Sequence, residues 1–460
     1  MKKTFGFLMT ALCVLSPRAD ASMKDPFDVS KTVARVPVDD VCKTSTEDKK
    51  LSLADVINLA LCNNPATKKA YLGAMASAAE YGAAKSAYLP TVDASASLRQ
   101  SDTTAHPAAR NANSTRADGS LSLNWLLYDF GGRDAAVGEI KYALASILYT
   151  RSDTLQNLIY DVVRGYYSLF AAEEEYQNCQ ATVDAARSAY DAAAKRYELG
   201  LAALSDKLQA ETSYAKAQLT AAEAEEAVSL AKGKLALLLN YPPNKTFLLE
   251  PEPYTPEKMD FDAKIEDMLE VALNSRADLI AKKAELKKSL ATIDYEKAQN
   301  APSFSVTGGL QAEDEWTHGG GREYGTHVGL TMTVPLFTGF KNQYRVTKAR
   351  YQAAQAGAEL KALENDVQKD VWDTFQSFRT ARKSYEISLT MLKSADMNAQ
   401  VALGAYKAGK GNILTVLDAQ SKQAEARTAK SKSFYQLLIS KIDLIRAMGL
   451  IDPFKPGKGF

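Results

Sequence analysis

The sequence predicts a mainly α protein that also carries four strands of a membrane β-barrel, with the whole plan written twice. Three observations predict this. Long stretches repeat apolar residues at helical spacing, four short stretches alternate polar with apolar residues, and the first half of the chain matches the second in order and spacing. Of 460 residues, 46% are hydrophobic and 24% charged, with 56 basic residues against 55 acidic. That near-neutral balance offers no electrostatic footprint for nucleic acid. After the N-terminus no run of about twenty apolar residues occurs, which excludes a polytopic helical membrane protein. A membrane β-barrel is not excluded, because its signal is alternation and not a hydrophobic run.

The first element is an export signal over residues 1–21. Lys2 and Lys3 precede an apolar stretch from Phe5 to Leu15, and Ala19-Asp20-Ala21 supplies a small-x-small cleavage site. Cleavage after Ala21 removes three basic residues (Lys2, Lys3, Arg18) and one acidic (Asp20), so the net charge moves from +1 to −1. Cys13 lies inside the signal and not at the cleavage point, so no cysteine is offered for lipidation. Cys42, Cys62 and Cys179 remain. Export permits a disulfide, and Cys42 and Cys62 flank a polar stretch that enters a helix. A Cys42–Cys62 bridge with Cys179 free is expected; three free thiols are the alternative.

Residues 22–50 are read as an extended segment, followed by the first repeat over 51–241. Its opening words, LSLADVINLALCNNP, announce a helix of roughly 38 residues ending at Pro90. The second repeat, 264–450, opens on a helix ending at Pro302, 212 positions later. A hairpin follows in each, over 91–128 and 303–337. Next comes a very long helix, from about Gly132 to Glu198 and again from about Phe340 to Lys407. In the first, Leu148, Leu155, Ile159, Val162, Tyr166 and Phe170 recur at steps of three, four and seven. In the second, Leu360, Leu363, Val367, Val371, Phe375 and Phe378 do the same. Dense alanine and this period are those of coiled coils. A glycine turn and a further helix of about 38 residues close each repeat, with Tyr197-Glu198-Leu199-Gly200 matching Tyr406-Lys407-Ala408-Gly409. The joint, 242–263, is rich in proline and reads as a non-helical linker. Residues 451–460 form a tail.

The strands decide between a soluble rod and a membrane protein. Val92, Ala94, Ala96 and Leu98 interleave with polar residues, as do Leu121, Leu123, Trp125 and Leu127. So do Phe304, Val306, Gly308 and Leu310, and then Val328, Leu330, Met332, Val334 and Leu336. About ten alternating residues cross a bilayer when tilted. Trp125, Tyr128 and Phe130 cluster at one strand end, and Phe337 and Phe340 at the matching end, as in an interfacial girdle. Four strands cannot close a barrel, and open edges cannot face lipid. Several chains must then share one barrel. The competing reading is an exported coiled-coil structural or adhesin protein with no pore.

No catalytic motif is found: neither GxSxG nor HExxH occurs. Gly404 to Lys410 spells GxxxxGK, but Gly411 follows in place of Ser or Thr, and the run ends a helix and not a strand. His106, His318 and His327 have no metal-ligand spacing. No cofactor, metal or enzymatic activity is expected.

Taken together, the duplicated plan and the words AAKSAYLPTVDASASL, LNWLLYDFGGR, TVPLFTGF, YELGLAALSDKLQAE and YKAGKGNILTVLDAQ resemble the TolC family of outer-membrane efflux and secretion channels, over nearly all of the chain after the signal. The resemblance implies a homotrimer in which three chains close a twelve-stranded β-barrel, four strands each, continuous with a long α-helical coiled-coil barrel across the periplasm. Segments 22–50, 242–263 and the tail would build an equatorial region. The implied partners are outer-membrane lipid, a periplasmic adaptor (membrane fusion) protein and an inner-membrane transporter, ABC or proton-driven. The implied role is an exit duct for tripartite efflux or type I secretion, and the cysteine pair resembles the secretion branch.

The resemblance also places a periplasmic gate at the two glycine turns. The family's Thr/Ser-Asp pair corresponds to Ser205 and Asp206, and its gating Tyr to Tyr406. Of its two entrance carboxylates, three apart on one helix face, Asp418 matches the second while Thr415 replaces the first. The family's latching Arg is replaced by Gly411. A trimer would then carry a ring of three charges in place of six, and the latch would rest on a Tyr406–Asp206 hydrogen bond, helped by Lys407 or Lys410. On that basis Tyr406→Phe should raise conductance. Leu199, Gly200, Leu201, Gly409 and Lys410 correspond to the adaptor docking turns.

Overall fold

Serine before an apolar run, with an acid three residues on, is a helix start, and the first described helix begins that way. Ser52 Oγ accepts from the Asp55 N–H and Asp55 returns the bond to the Ser52 N–H, both at 3.2 Å, a capping box that satisfies two end donors. The structure, a computed structural model, describes residues 26–28, 31, 33, 50–103, 112–251, 264–316 and 321–452. The export signal, Cys42, His106, His318, most of segment 22–50, nearly all of the linker and most of the tail lie outside the described residues.

The duplication is visible element by element. The first copy is α1 (Leu53–Asn63), α2 (Pro65–Lys85), β1 (Thr91–Thr103), β2 (Ala112–Tyr128), α3 (Gly132–Glu198) and α4 (Leu204–Leu238). The second is α5 (Ile265–Ser275), α6 (Ala277–Ala298), β3 (Ser303–Glu315), β4 (Arg322–Thr333), α7 (Lys341–Lys407) and α8 (Ile413–Ala447). The long helices α3 and α7 have 67 residues each, and α4 and α8 have 35 each. No described helix is long and apolar enough to cross a membrane.

The single helix expected before each hairpin is in fact two. Asn64 leaves the helical region, at ψ 128°, because Pro65 disfavours helix in the residue before it. The second copy breaks at Arg276, at ψ 124°, without a proline. There the guanidinium is tied to Asp278 at 2.6 Å and to Asp370 at 3.1 Å.

The described residues divide into two units, those falling within 1–34, 74–144 and 287–352 in one and those within 35–73, 145–286 and 353–460 in the other. The first holds an antiparallel sheet in the order β1-β2-β3-β4. Its register puts Val92 opposite Leu123, Leu121 opposite Leu310, and Val306 opposite Leu330. Side chains paired across strands share a face, so the apolar residues of all four strands gather on one side. Asp93, Ser122, Gly309 and His327 line the other. The apolar side is exposed, with Val328 at 87% and Leu330 at 68%. The outer edges of β1 and β4 have no partner among the described residues.

Two details depart from strict alternation. A bulge between Leu126 and Tyr128 shifts the register, so Tyr128 and not Leu127 lies opposite Phe304. β4 stops at Thr333, short of Val334 and Leu336, where Pro335 has no N–H to give a ladder. Beyond both hairpins the chain makes the same unusual turn. Phe130 and Phe340 take positive φ, +53° and +62°, a region that side chains rarely adopt. Phe130 packs edge-on against Tyr128, and Phe340 against Phe337, at 4.7 and 5.6 Å between ring centres.

The second unit is helical, and the predicted stripes lie inside it. Leu155, Ile159, Val162 and Tyr166 of α3 pack with Val56 and Ile57 of α1, Leu235 of α4 and Ile445 of α8. Val367, Val371 and Phe378 of α7 pack with Met268 of α5 and Leu437 of α8. Toward the glycine turns the core changes composition. Ala189, Ala193, Ala210, Ala399, Ala402 and Ala419 make up most of it, with Ile413 and Val416, around Tyr406. Cys179 is free and buried between Ala221 and Ala224. Cys62 takes part in a disulfide.

Candidate functional site

A helix that must reverse needs a residue of positive φ just past its end, and glycine takes it without a side-chain penalty. Gly200 (φ +68°) and Gly409 (φ +74°) do so after α3 and α7. In the first turn the Leu201 N–H donates to the Arg196 carbonyl and the Gly200 N–H to the Tyr197 carbonyl. In the second, Lys410 donates to Ala405 and Gly409 to Tyr406. Both are Schellman closures, so the two hairpins end alike in backbone.

Their side chains differ. Tyr197 is exposed, while its repeat-mate Tyr406 is 2% exposed and sits in the alanine-rich core. Arg196, a residue not singled out from the sequence, crosses from the first hairpin to the second. Its Nη1 donates to the Tyr406 carbonyl at 2.8 Å, and its guanidinium carbon lies 4.8 Å from the centre of the Tyr406 ring. Nη2 reaches the Leu201 carbonyl at 3.4 Å. The guanidinium thus meets one carbonyl in the last turn of α7, where the helix dipole favours a cation, and another just past the end of α3. The repeat alignment contains the signal for it: one place before the paired tyrosines, Arg196 stands against Ala405.

The Tyr406 hydroxyl is buried and makes no hydrogen bond among the described residues. The expected Tyr406–Asp206 bond is therefore not made within the chain. Asp206, in the first turn of α4, is still near enough to act on it. Burial pushes the phenol up, Arg196 opposes that, and Asp206 pushes it further. Ser205 is exposed and Asp206 half-buried at the α4 start, which has no side-chain cap. Lys407 and Lys410 are exposed, and among the described contacts the side chain of neither bonds or pairs with Tyr406 or Asp206.

Gly411 lies against the backbone of the same tyrosine. A Cβ there would sit 3.0 Å from the Tyr406 nitrogen. Asn412 caps α8, accepting from the Leu414 N–H at 3.0 Å. Thr415 and Asp418 follow one turn apart, both exposed. Asp418 is not a free carboxylate: Lys422 pairs with it at 2.7 Å and is itself held more firmly protonated by it. Leu199 and Leu201 project outward, 72% and 65% exposed.

Away from the turns, α3 and α8 are joined by polar contacts. Glu174 accepts from Lys430 at 2.9 Å and Ser431 at 2.7 Å, Thr428 donates to Glu175 at 2.8 Å, and Gln420 donates to the Ala185 carbonyl at 3.1 Å. Burial disfavours the Glu174 charge, but the bonds from Lys430 and Ser431 outweigh it and hold the carboxyl below its usual range. No group of His, Cys, Asp and Glu that could hold a metal occurs among the described residues.

The sequence pattern of the family described as Outer membrane efflux protein matches residues 56–241 and 268–450, one stretch for each repeat. The chain is 28% identical to Protein CyaE of Bordetella pertussis over 407 residues, covering 87% of this chain and 84% of that one. It is 22% identical to the outer membrane protein TolC of Vibrio cholerae, covering 87% and 91%. Its fold superposes on the crystal structure of the outer membrane protein VceC of Vibrio cholerae with a TM-score of 0.75 at 18% identity, over 86% of this chain and 96% of that one.

Proposed function

Because the chain belongs to the outer membrane efflux protein family, we propose that three copies of it close a twelve-stranded barrel and form the exit duct of a tripartite efflux pump or a type I secretion system. The chain is an outer-membrane channel protein and not an enzyme. The observation that carries the trimer is the sheet: one exposed face that is apolar from Val92 to Leu98 and from Val328 to Met332, with an outer edge on either side that is unpaired among the described residues. Backbone groups at such edges cannot be left to lipid, so the edges pair with neighbouring copies. The polar face, with Asp93, Ser122 and His327, then lines water. A pore-less rod has no use for either feature.

The two Schellman turns form the periplasmic end of the duct, and the Tyr406 core is its gate. Exposed Leu199 and Leu201, with Gly200, Gly409 and Lys410, receive a periplasmic adaptor. An inner-membrane transporter supplies substrate and energy. The test is single-channel recording of the purified, detergent-solubilised oligomer in a planar bilayer. Steps of stable size are expected; folded, heat-resistant oligomers that give no steps would overturn the channel.

A further inference from the structure

We infer that Arg196 is the residue that holds the two hairpins of one chain together at the gate, in the place left by the missing latch at Gly411. The inference rests on reading the two turns as the gate.

Three observations on this chain support it. First, Arg196 and Tyr406 are 210 positions apart and on different repeats, so their contact ties one hairpin to the other and not a helix to itself. Second, among the described hydrogen bonds between the two hairpins it lies nearest the turns: the next is Gln420–Ala185, the Glu174 and Glu175 contacts lie further along, and the core around it is mostly alanine. Third, Gly411 cannot carry the tie. Its Cβ position is 3.0 Å from the Tyr406 nitrogen and 3.2 Å from the Ala405 carbonyl carbon, both backbone atoms that cannot swing aside.

The chemistry of the contact sets its selectivity. A guanidinium offers forked donors and a flat face at once. Here Nη1 bonds a carbonyl while the flat face lies over the tyrosine ring, which attracts it through the ring quadrupole. Neither contact uses the tyrosine hydroxyl. Phenylalanine at 406 keeps both, whereas glutamine at 196 loses the charge and the stacking. Lysine keeps the charge but presents a point cation in place of the fork. Parting the hairpins returns the guanidinium and the Tyr406 carbonyl to water.

The experiment compares wild-type trimer with Arg196→Gln, Arg196→Lys and Tyr406→Phe, each checked for heat-resistant oligomer. Nitroxide labels on Leu201→Cys and Lys410→Cys, in labelled chains diluted among unlabelled ones, report the separation of the hairpin tips. Planar-bilayer recording reports conductance. A hydrogen bond to a charged group is strong enough that its loss raises the open population roughly tenfold. Arg196→Gln should widen the label distance and raise mean conductance by that order, Arg196→Lys less, and Tyr406→Phe should match wild type. An unchanged label distance in Arg196→Gln overturns the latch, as does Tyr406→Phe opening the channel as far as Arg196→Gln does. If the Gln variant does not assemble, the Lys variant decides on the same two readouts. Wild-type trimers that give no steps refute the channel reading instead, and the label distances still judge the tie.

Discussion

Gly411 packs its α-carbon against the backbone of Tyr406, so closely that a methyl group would stand 3.0 Å from the tyrosine nitrogen. Gly411 is not in the left-handed region, so space and not conformation is what the position demands. Gly411→Ala should push the second turn outward. Overpacking of this kind costs about 1–3 kcal/mol, read as a lower melting temperature of the helical signal together with a leakier closed channel. Gly411→Arg should do the same, and not restore a latch.

Asp418 predicts weak ion sensing. Its ion pair with Lys422 is about 60% exposed on both sides, so it adds little stability, about 0–1 kcal/mol. It does cancel much of the field that the carboxylate projects. Divalent cations added from the periplasmic side should block wild-type channels weakly. Lys422→Gln should strengthen that block severalfold, and Asp418→Asn should abolish it. Equal block in all three proteins would remove Asp418 from the mouth.

Glu174 sets an acid limit on the α3–α8 seam. Its carboxyl is depressed in the folded chain, so the unfolded chain binds its proton first as pH falls. Its stabilising contribution is complete above the unfolded carboxylate range and is lost as pH drops through the lower, folded value. Melting temperature should therefore fall on acidification below about pH 4. In Glu174→Gln this dependence should be shallower, with a lower melting temperature at neutral pH.

Arg276 holds the helix break in the second repeat, 12% exposed between Asp278 and Asp370. Removing one partner of a buried pair leaves the other charge uncompensated and costs about 3–5 kcal/mol; the half-exposed Asp370 places this site at the lower end. Arg276→Met should melt several degrees below wild type, and the double variant with Asp278→Asn should regain part of the loss.

The disulfide at Cys62 is expected to close on Cys42. Peptide mapping of unreduced protein should recover that pair. Cys179, buried and pushed up in pKa by its surroundings, should alkylate only after unfolding. A Cys62–Cys179 peptide would refute both assignments.

Much of this architecture is legible in the residues, for identifiable reasons. Period two across Val92–Leu98 and Phe304–Leu310 exposes which side of the sheet is apolar, because strand geometry leaves no other choice. The stripe from Leu155 to Tyr166 does the same for α3. The bulge at Leu127 is not legible, since it inserts one residue into an alternation that already reads apolar at 126 and 127. Nor is the break at Arg276, which depends on Asp370 from a helix far along the chain. The proline at 65 makes the equivalent break in the first repeat visible in principle. At the site, Tyr406 stands out from the sequence while Arg196 does not. The Tyr406 environment follows from the turn, but the reach of a long side chain between repeats is a property of the assembled fold. The hydroxyl partner expected at Asp206 shows the converse: nearness along homologous turns does not ensure a bond.

The change from Leu, Ile, Val and Phe near Tyr166 and Phe378 to a core in which alanine predominates near Tyr406 has a mechanical consequence. A buried methyl removes far less apolar area from water than a buried isobutyl or benzyl group, so cohesion per turn of helix is lower toward the glycine turns. Such a bundle is a zip of uneven strength. It parts from its alanine-rich end first, and the turns beyond that end cost more to open, so the widening stalls by itself at the aliphatic core.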